Sequence, residues 1–219
     1  MSKEYFQTLQ NQQTYEKKNQ IYLKTRVLKT FLKLINTFFN KDIKKNSFVL
    51  DLGTADGSFV EVAKSYGFES LGLDINKVNF ETEKIDLKSE SCDIITGISL
   101  IEHINNPDNL LSESKRLLKE DGVLILVTPD WSQNYKIFYD DPTHVRPYTK
   151  KSLKFLLESY GFKNIYIVPW LVCKPAWMWR IPFSFFLAKL IPFRGGGNNF
   201  IPDFLKGKSK TLLAICSKN

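Results

Sequence analysis

Short apolar runs and longer amphipathic stretches alternate along most of the chain. Continuous apolar and β-branched runs predict buried strands, which we place at 48–52, 70–74, 92–98, 123–128, 162–168 and 210–216. Apolar residues spaced three and four apart predict amphipathic helices, which we place at 21–39, 58–66, 107–119 and 152–160. Strands that alternate with helices are typical of an α/β fold with a mostly parallel sheet.

Polar composition separates the N-terminal part from this alternating region. Residues 1–20 are rich in Gln, Asn and Lys, and residues 41–46 form a polar linker before the first strand. We therefore predict an N-terminal helical arm over residues 1–45 and one α/β domain over residues 46–219. The chain of 219 residues is 43% hydrophobic, which is enough for the core of one such domain.

Two glycines follow the first strand closely. Gly53 comes directly after Leu52, and Gly57 stands four residues later, just before a helical pattern that begins at Ser58. Ser58 and Glu61 have the spacing of a capping box, which predicts Ser58 as the N-cap. A strand, a glycine turn and a helix in this order let a ligand approach the backbone of the turn.

The acids beside the glycine turn limit the kind of ligand that it can bind. Asp51 ends the first strand and Asp56 lies within the turn, whereas a phosphate-binding loop usually supplies a lysine. The ligand at the turn is therefore predicted to be uncharged or cationic. Asp74 ends the second strand, where a carboxylate suits a bidentate hydrogen bond to two ribose hydroxyls.

The stretch Val49–Gly57 resembles motif I of the class I S-adenosylmethionine (SAM) methyltransferases. That motif has an acid, one further residue and three alternating glycines, and here Ala55 stands where the middle glycine is usual. The resemblance continues through Asp74 and later segments, so it covers about residues 45–167. It implies a Rossmann-like sheet of seven strands, mostly parallel with an antiparallel last strand, and helices on both faces.

The resemblance also implies where SAM, or its product S-adenosylhomocysteine (SAH), would lie. The methionine part would contact the glycine turn, the ribose would contact Asp74, and the adenine would lie near Asp86. The region after the second strand is shorter than is usual in the family, so two alternatives remain. Glu81 could make the adenine contact in place of Asp86, and Asp86 could be an ordinary surface acid. The predicted cofactor-binding residues are Asp51, Gly53, Thr54, Ala55, Gly57, Asp74, Ile75, Asp86, Leu87, Ile98 and Ser99.

Both histidines of the chain lie in segments expected near the carboxyl edge of the sheet. His144 belongs to a long loop, and long loops inside compact domains usually carry function. If the acceptor is a hydroxyl, a general base helps to remove its proton. We predict His144 first and His103 second as catalytic residues, with a structural position at a helix start as the alternative for His103. The predicted acceptor-binding residues are Arg146, Tyr148 and Trp131.

The loop at 140–149 and the helix after it resemble a branch of the family that acts on small molecules, lipids and bacterial surface glycans. We therefore predict methyl transfer from SAM to a small-molecule, glycan or lipid-linked acceptor, at oxygen. A nucleic-acid methyltransferase and a SAM-binding protein without catalysis remain as alternatives. Residues 97–100 lack the Asn/Asp-Pro-Pro-aromatic element of nucleobase amino-methylating enzymes, and no nucleic-acid-binding module is appended, so a nucleic-acid partner is not predicted.

The net charge of +8 and the pI near 9.2 favour anionic partners. An insertion at about 169–200 interleaves aromatic residues with cations and suits contact with an anionic membrane surface. A lid over the acceptor pocket and a dimer contact are the alternatives, and the oligomeric state is left open. No apolar run reaches the ~20 residues of a membrane-spanning helix.

The three cysteines, Cys92, Cys173 and Cys216, fit neither a metal-ligand spacing nor a disulfide framework. This scatter predicts a reducing cytoplasmic environment, whereas peripheral contact at the membrane is predicted from the insertion at about 169–200. The first residues do not resemble a signal peptide. No metal ion is predicted from the sequence.

Overall fold

The computed structural model describes residues 17–170, 193–194 and 206–219. Residues 1–16 of the predicted arm and most of the insertion at about 169–200 lie outside these ranges. Whether the insertion is a lid, a membrane contact or a dimer contact therefore stays a prediction. The domain boundary near residue 46 also stays a prediction.

Six strands among the described residues form the central sheet: β1 (Phe48–Leu52), β2 (Glu69–Leu73), β3 (Cys92–Ile98), β4 (Leu118–Pro129), β5 (Lys163–Trp170) and β8 (Thr211–Ser217). Their spatial order is β2-β1-β3-β4-β8-β5. The first four run parallel, and β8 pairs antiparallel with both β4 and β5, which confirms the antiparallel last strand. Two short strands, β6 (Phe193–Arg194) and β7 (Lys206–Lys208), pair separately.

Helices cover both faces of the sheet, as predicted. They are α1 (Lys17–Phe39), α2 (Ser58–Ser65), α3 (Asp108–Leu117), α4 (Trp131–Asn134) and α5 (Lys150–Ser159). Side chains alternate along a strand, so Leu124 and Leu126 of β4 join the core beneath α3 and α5, whereas Ile125 and Val127 join the core beneath α1 and α2.

The helix α1 belongs to the packed core of one face. Phe31 of α1 contacts Phe59 of α2, with ring centroids 5.9 Å apart, and Trp170 of β5, at 5.6 Å. Phe38 stacks on Tyr166 at 4.4 Å. The apolar spacing of this segment therefore predicted its packing correctly, and one turn of α1 reaches the edge of the sheet where the candidate site lies.

The prediction of a seven-stranded sheet is wrong. The segment 74–91 between β2 and β3, where a further strand is usual in the family, contains only turns and irregular structure. Side chains of α3 satisfy its backbone instead: the amide of Ile85 donates to Glu113 Oε2 at 2.9 Å, and Arg116 Nη2 donates to the carbonyl of Ile85 at 2.9 Å. Because these groups are already bonded, they have no need of a neighbouring strand.

Local capping interactions make the starts of α2 and α5 differ from the predicted ones. Gly57, not Ser58, is the N-cap of α2, and no side chain caps that helix. Ser58 is the first helical residue, and both its amide and its hydroxyl donate to Asp56 Oδ1. A capping box does form at α5, where Thr149 and Ser152 bond reciprocally, so α5 begins at Lys150, before the predicted start at 152.

The long loop after β4 contains two short helical pieces. Asp130 caps α4 by accepting from the amide of Ser132 at 3.0 Å, and a 3-10 turn covers Phe138–Asp140. The loop then returns to the sheet edge, since the amides of Val145 and Arg146 both donate to the carbonyl of Glu102, at 2.9 and 3.0 Å. Within the described ranges, no helix combines the length and apolar character that crossing a bilayer requires.

Candidate functional site

The turn after β1 is a tight, left-handed piece of backbone. Gly53, Ala55 and Gly57 have φ values of 73°, 49° and 72°. The amides of Gly53 and Thr54 both donate to the carbonyl of Leu73, at 2.8 and 3.1 Å. These bonds hold the turn against the end of β2, where its backbone lines an open cleft.

Asp74 joins the end of β2 to the same turn. Its Oδ2 accepts from the amide of Ala55 at 2.9 Å, and its Oδ1 accepts from the amide of Ile75 at 2.7 Å. An ionised carboxylate has about four acceptor positions, so it retains acceptor capacity for a ligand. The second strand-end acid therefore lies where the sequence predicted it, next to the glycine turn.

Asp51 is the buried acid of the site. Its side chain is 4% exposed, and Oδ1 accepts from the hydroxyl of Thr96 at 2.7 Å. Burial raises the pKa of Asp51 to about 6, and the hydrogen bond from Thr96 and the charge of Lys24 only partly oppose that rise. A cation that enters the cleft would favour the ionised form of this carboxyl group.

A cleft of about 520 Å³ opens along the carboxyl ends of the parallel strands. This edge is where open α/β sheets bind their ligands. The lining residues are Lys24, Asp51, Gly53, Thr54, Ala55, Asp74, Ile75, Phe80, Ile98, Ser99, Leu100, Glu102, His103, Ile104, Pro129, Asp141, Thr143 and His144. One wall is thus the glycine turn, and another carries both histidines.

His103 is oriented by Thr143. Its Nδ1 lies 2.8 Å from the hydroxyl oxygen of Thr143 and 3.1 Å from the carbonyl oxygen of the same residue. Because a carbonyl only accepts, Nδ1 is inferred to carry the proton. The hydroxyl of Thr143 donates in turn to Asp141 Oδ1 at 2.6 Å. Burial lowers the pKa of His103, so the neutral ring is favoured.

His144 is oriented by a carbonyl from its own loop. Its Nδ1 lies 2.7 Å from the carbonyl oxygen of Phe138, which places the proton on Nδ1 and the lone pair on Nε2. The ring is 4.9 Å from that of His103, and Nε2 lies 3.8 Å from Asp141 Oδ2. Burial acts to raise the pKa of Asp141, but hydrogen bonds from Thr143 outweigh it and hold that pKa below its usual value.

Glu102 lies at the floor of the cleft and was not singled out by the sequence. Its side chain is fully buried, and neither carboxylate oxygen has a hydrogen-bond partner within the described part of the chain. Burial raises the pKa of Glu102 to about 7, and its own backbone amide and the nearby hydroxyl of Thr128 only partly oppose that rise, without forming a hydrogen bond of normal geometry. The buried hydroxyls of Thr128 and Tyr148 also lack partners among the described residues.

Three potential ligand atoms for a metal ion meet at this floor. One atom each from Glu102, His103 and His144 lies within 4.8 Å of the others. The sequence predicted no metal ion, because His144 is distant in sequence from the other two residues. The folded loop brings them together.

Several residues predicted for the site lie outside the cleft. Asp86 is exposed, and Leu87 packs against the core beneath α3. Among the predicted acceptor residues, Arg146 Nη1 donates to the carbonyl of Asn105 at 2.7 Å. Tyr148 is buried in the core, and the amide of Trp131 donates to its carbonyl at 2.8 Å. Gly57 starts α2 and does not line the cleft.

Other lining residues carried no signal that sequence reasoning used. Lys24 comes from α1, and Phe80 comes from the irregular segment that replaces the missing strand. Asp93, in β3, supports the sheet: its Oδ2 accepts from the amide of Phe48 and from Lys119 Nζ, both at 2.8 Å.

The fold resembles those of solved SAM-dependent methyltransferases. A SAM-dependent methyltransferase from Archaeoglobus fulgidus matches with a TM-score of 0.57 at 21% sequence identity, over 88% of this chain and 94% of that one. Phosphoethanolamine N-methyltransferase 2 from Haemonchus contortus, solved with SAM, gives a TM-score of 0.55 at 15% identity, over 84% of this chain and 51% of that one. At these identities the likeness concerns the fold alone.

Curated relatives match shorter stretches. The ubiquinone biosynthesis O-methyltransferase of Pelagibacter ubique is 27% identical over 125 residues, which are 49% of this chain and 50% of the relative. The enzyme of the same name from Haemophilus ducreyi is 34% identical over 74 residues, 32% of this chain and 31% of the relative. The chain thus spans half or less of the length of these relatives.

A model of the methyltransferase domain family matches residues 22–167, well over half of the chain. The matched region contains the glycine turn, Asp51, Asp74 and both histidines. The chain therefore belongs to the methyltransferase domain family, and its fold is that of the class I enzymes that use SAM.

Proposed function

We propose that this protein transfers a methyl group from SAM to a hydroxyl oxygen of a small-molecule, glycan or lipid-linked acceptor. One observation carries the proposal: a single cleft joins the glycine turn, Asp51 and Asp74 to the two histidines. In this reaction the sulfonium supplies the leaving group, so the protein mainly aligns donor and acceptor. A cleft with a cofactor wall and an acceptor wall suits that task.

The cleft offers complementary charge for the methionine part of SAM. Its amino group is a cation, which suits Asp51, and its carboxylate is an anion, which suits Lys24 on the opposite helix. Backbone at Gly53 and Ala55 leaves room for this part of the molecule. The positive charge of that amino group would lower the raised pKa of Asp51, so cofactor binding and proton release from Asp51 are coupled.

The remaining parts of SAM also find suitable neighbours. The ribose hydroxyls suit Asp74, which retains acceptor capacity beside its two backbone bonds. Ile75, Phe80 and Ile104 give the cleft an apolar stretch that suits the adenine ring. These residues take the place that the sequence assigned to Asp86 and Leu87.

His144 suits the acceptor hydroxyl. His144 lines the cleft, and because its Nδ1 is held by the carbonyl of Phe138, the Nε2 lone pair is left to act as a general base. The curated relatives named above are O-methyltransferases, which also favours oxygen as the acceptor atom. His103 and Thr143 hold the loop and the turn together, so we assign His103 the second place.

A transfer assay with labelled SAM tests the proposal. The panel comprises hydroxylated small molecules, glycans, lipid extracts and nucleic acids, and we expect label in one of the first three classes. With that acceptor, His144→Ala should lower turnover at least tenfold while SAH affinity stays within about twofold. Label in nucleic acid alone would favour the rival methyltransferase class, and SAH binding without transfer to any class would favour a sensor or scaffold.

An anionic membrane surface is the proposed partner if the acceptor is lipid-linked. The loop before His144 exposes Tyr135, Ile137 and Tyr139, which are 57%, 46% and 58% accessible. The neighbouring Lys136 and the net charge of +8 suit anionic lipid. The fraction of protein that sediments with anionic vesicles should fall as salt rises but should not reach zero, because aromatic contacts do not depend on salt. A protein that stays in the supernatant at low salt does not bind membranes.

A further inference from the structure

The buried carboxylate of Glu102 calls for a ligand. Its side chain is 0% exposed, yet neither oxygen accepts a hydrogen bond from the described residues. A buried polar group without a partner destabilises the folded protein, and such groups in native proteins usually contact a water, an ion or a substrate. Glu102 also lines the cleft, so a ligand can reach it.

Two imidazoles converge on the same carboxylate. Ligand atoms of Glu102, His103 and His144 all lie within 4.8 Å of one another. Metal–nitrogen and metal–oxygen bonds of about 2.0–2.2 Å place ligand atoms roughly 3–4 Å apart. Side-chain rotations that move each ligand atom by a few tenths of an ångström to one ångström would therefore bring all three atoms within bonding distance of one ion.

Neighbouring groups orient both imidazoles by hydrogen bonds, as is usual for histidines that bind a metal ion. Nδ1 of His144 donates to the carbonyl of Phe138, and Nδ1 of His103 is held by Thr143, which is itself held by Asp141. Metal-binding histidines commonly use one ring nitrogen for such a bond, which fixes the other toward the metal. The carbonyl of Glu102 also accepts from two amides of the loop that carries His144.

We propose that Glu102, His103 and His144 bind one divalent transition-metal ion. Two imidazoles and one carboxylate are the ligand types of zinc, manganese, cobalt and iron sites, whereas magnesium and calcium prefer oxygen ligands throughout. Three protein ligands leave at least one coordination position for another molecule. That position lies on the side of the cleft, because all three residues line it.

The chemical consequence rests on the proposed function. With the ion bound, Nε2 of His144 would be a ligand, so the ion would take over the task assigned above to His144 as general base. A hydroxyl oxygen of the acceptor can occupy the remaining coordination position, where the ion lowers the pKa of the hydroxyl, so that its proton is released to water, and fixes the oxygen in place. The site would then select acceptors with a metal-binding oxygen. Metal binding itself does not depend on methyl transfer and is tested without SAM.

The first experiment titrates Co²⁺ into the full chain, purified without a polyhistidine tag. We expect one equivalent to bind with d–d absorption and without the charge-transfer band of a thiolate ligand. Zn²⁺ added to protein with ¹⁵N-labelled histidine should shift the ring-nitrogen signals of both residues. Since the chain has only two histidines, those spectra report directly on the proposed ligands.

Variants separate this site from any other. Glu102→Gln keeps the shape of the side chain and removes its charge, and we expect Co²⁺ affinity to fall by roughly tenfold or more. His144→Gln should have a similar effect. The control is Glu158→Gln, a half-exposed acid on α5 that pairs with Lys154 and should leave the titration unchanged. Circular dichroism checks that each variant is folded.

Two outcomes would overturn the inference. One is the lack of any stoichiometric Co²⁺ or Zn²⁺ binding; if Glu102→Gln also weakens SAM binding in that case, Glu102 is assigned to the sulfonium instead. The other is binding that shows a thiolate band or persists in both variants, since a cysteine or a surface site then holds the ion. If metal binds but no acceptor is methylated, the proposed function fails and the metal site remains.

Discussion

The residue at the middle of the glycine turn departs from the usual family pattern. Ala55 has a φ of 49°, in the left-handed region that side chains with a Cβ disfavour by about 1–2 kcal/mol. Its amide is held by Asp74 at 2.9 Å, which keeps the backbone there. The sequence showed only that a small residue stood in place of glycine. The structure shows that the turn keeps the left-handed conformation regardless.

We predict that Ala55→Gly raises the free energy of unfolding by about 0.5–1 kcal/mol, because strain relief exceeds the added entropy of the unfolded chain. The reverse change at Gly57 is the matched control. Its φ is 72° and a Cβ there would meet no atom within 4 Å, so Gly57→Ala should lose about 1 kcal/mol from backbone strain alone. Urea denaturation measures both. Equal stability of all three proteins would show that the turn stores no strain.

Asp74 and Asp86 form a second matched pair at the residue scale. Asp74→Ala should weaken SAH binding by about 2–3 kcal/mol, because it removes the charge-assisted hydrogen bonds proposed to the ribose and leaves the amide of Ala55 without its acceptor. Asp86 is exposed and outside the cleft, so Asp86→Ala should bind SAH like the wild type. Calorimetry distinguishes them. If Asp86→Ala weakens binding instead, the adenine position implied by the family resemblance is restored.

Sequence patterns predicted residues well where a local rule decides the outcome. The strand-end acids Asp51 and Asp74 and the glycines between them follow from motif spacing, and they meet in space as expected. Ser58 was misassigned because Asp56, two residues earlier, accepts from its hydroxyl and amide. Glu102 and Lys24 were missed because their importance depends on which distant segments fold against them, and one sequence does not contain that information.

At the scale of elements, an irregular segment lies between β2 and β3, where the predicted seven-stranded sheet would have a further strand. Glu113, 8% exposed, accepts from the amide of Ile85 and forms an ion pair with Arg116 at 2.7 Å. Arg116 in turn donates to the carbonyls of Ile85 and Leu87. We call these contacts of Glu113 and Arg116 with the irregular segment the clamp. Hydrophobic periodicity does not predict the clamp, because its contacts join residues that are far apart in sequence.

We predict that Glu113→Gln lowers the free energy of unfolding by about 1.5–3 kcal/mol. The change removes the negative charge that strengthens the hydrogen bonds from Arg116 and from the amide of Ile85, and it leaves the guanidinium of Arg116 without its ion-pair partner. Lys154 and Glu158 form an exposed pair at 3.6 Å on α5 and give the control. Glu158→Gln should change stability by less than about 0.5 kcal/mol. If both changes cost the same, the clamp contributes no more than a surface ion pair.

At the scale of the whole molecule, the site carries a buried acid that opposes folding. The pKa of Asp51 rises from its ordinary value of 3.8 to about 6 on burial. Between these values the unfolded chain releases the proton while the folded protein retains it. The folded state then binds more protons, so this group makes stability fall as pH rises through that window. Above pH 6 the cost stays constant.

Asp51→Asn should therefore be more stable than wild type at pH 7, by on the order of 2–3 kcal/mol, and equally stable near pH 4. Asparagine keeps the shape of the side chain and an oxygen for the hydroxyl of Thr96, so the variant removes the charge alone. Urea denaturation at several pH values measures the difference between the two proteins, which cancels the other titrating groups. The same variant should bind SAH more weakly, because the carboxylate that destabilises the empty protein is the group proposed to meet the amino group of the cofactor. Parallel stability curves for the two proteins would mean that Asp51 ionises in the folded state as readily as in the unfolded chain, and weaker SAH binding would then need another explanation.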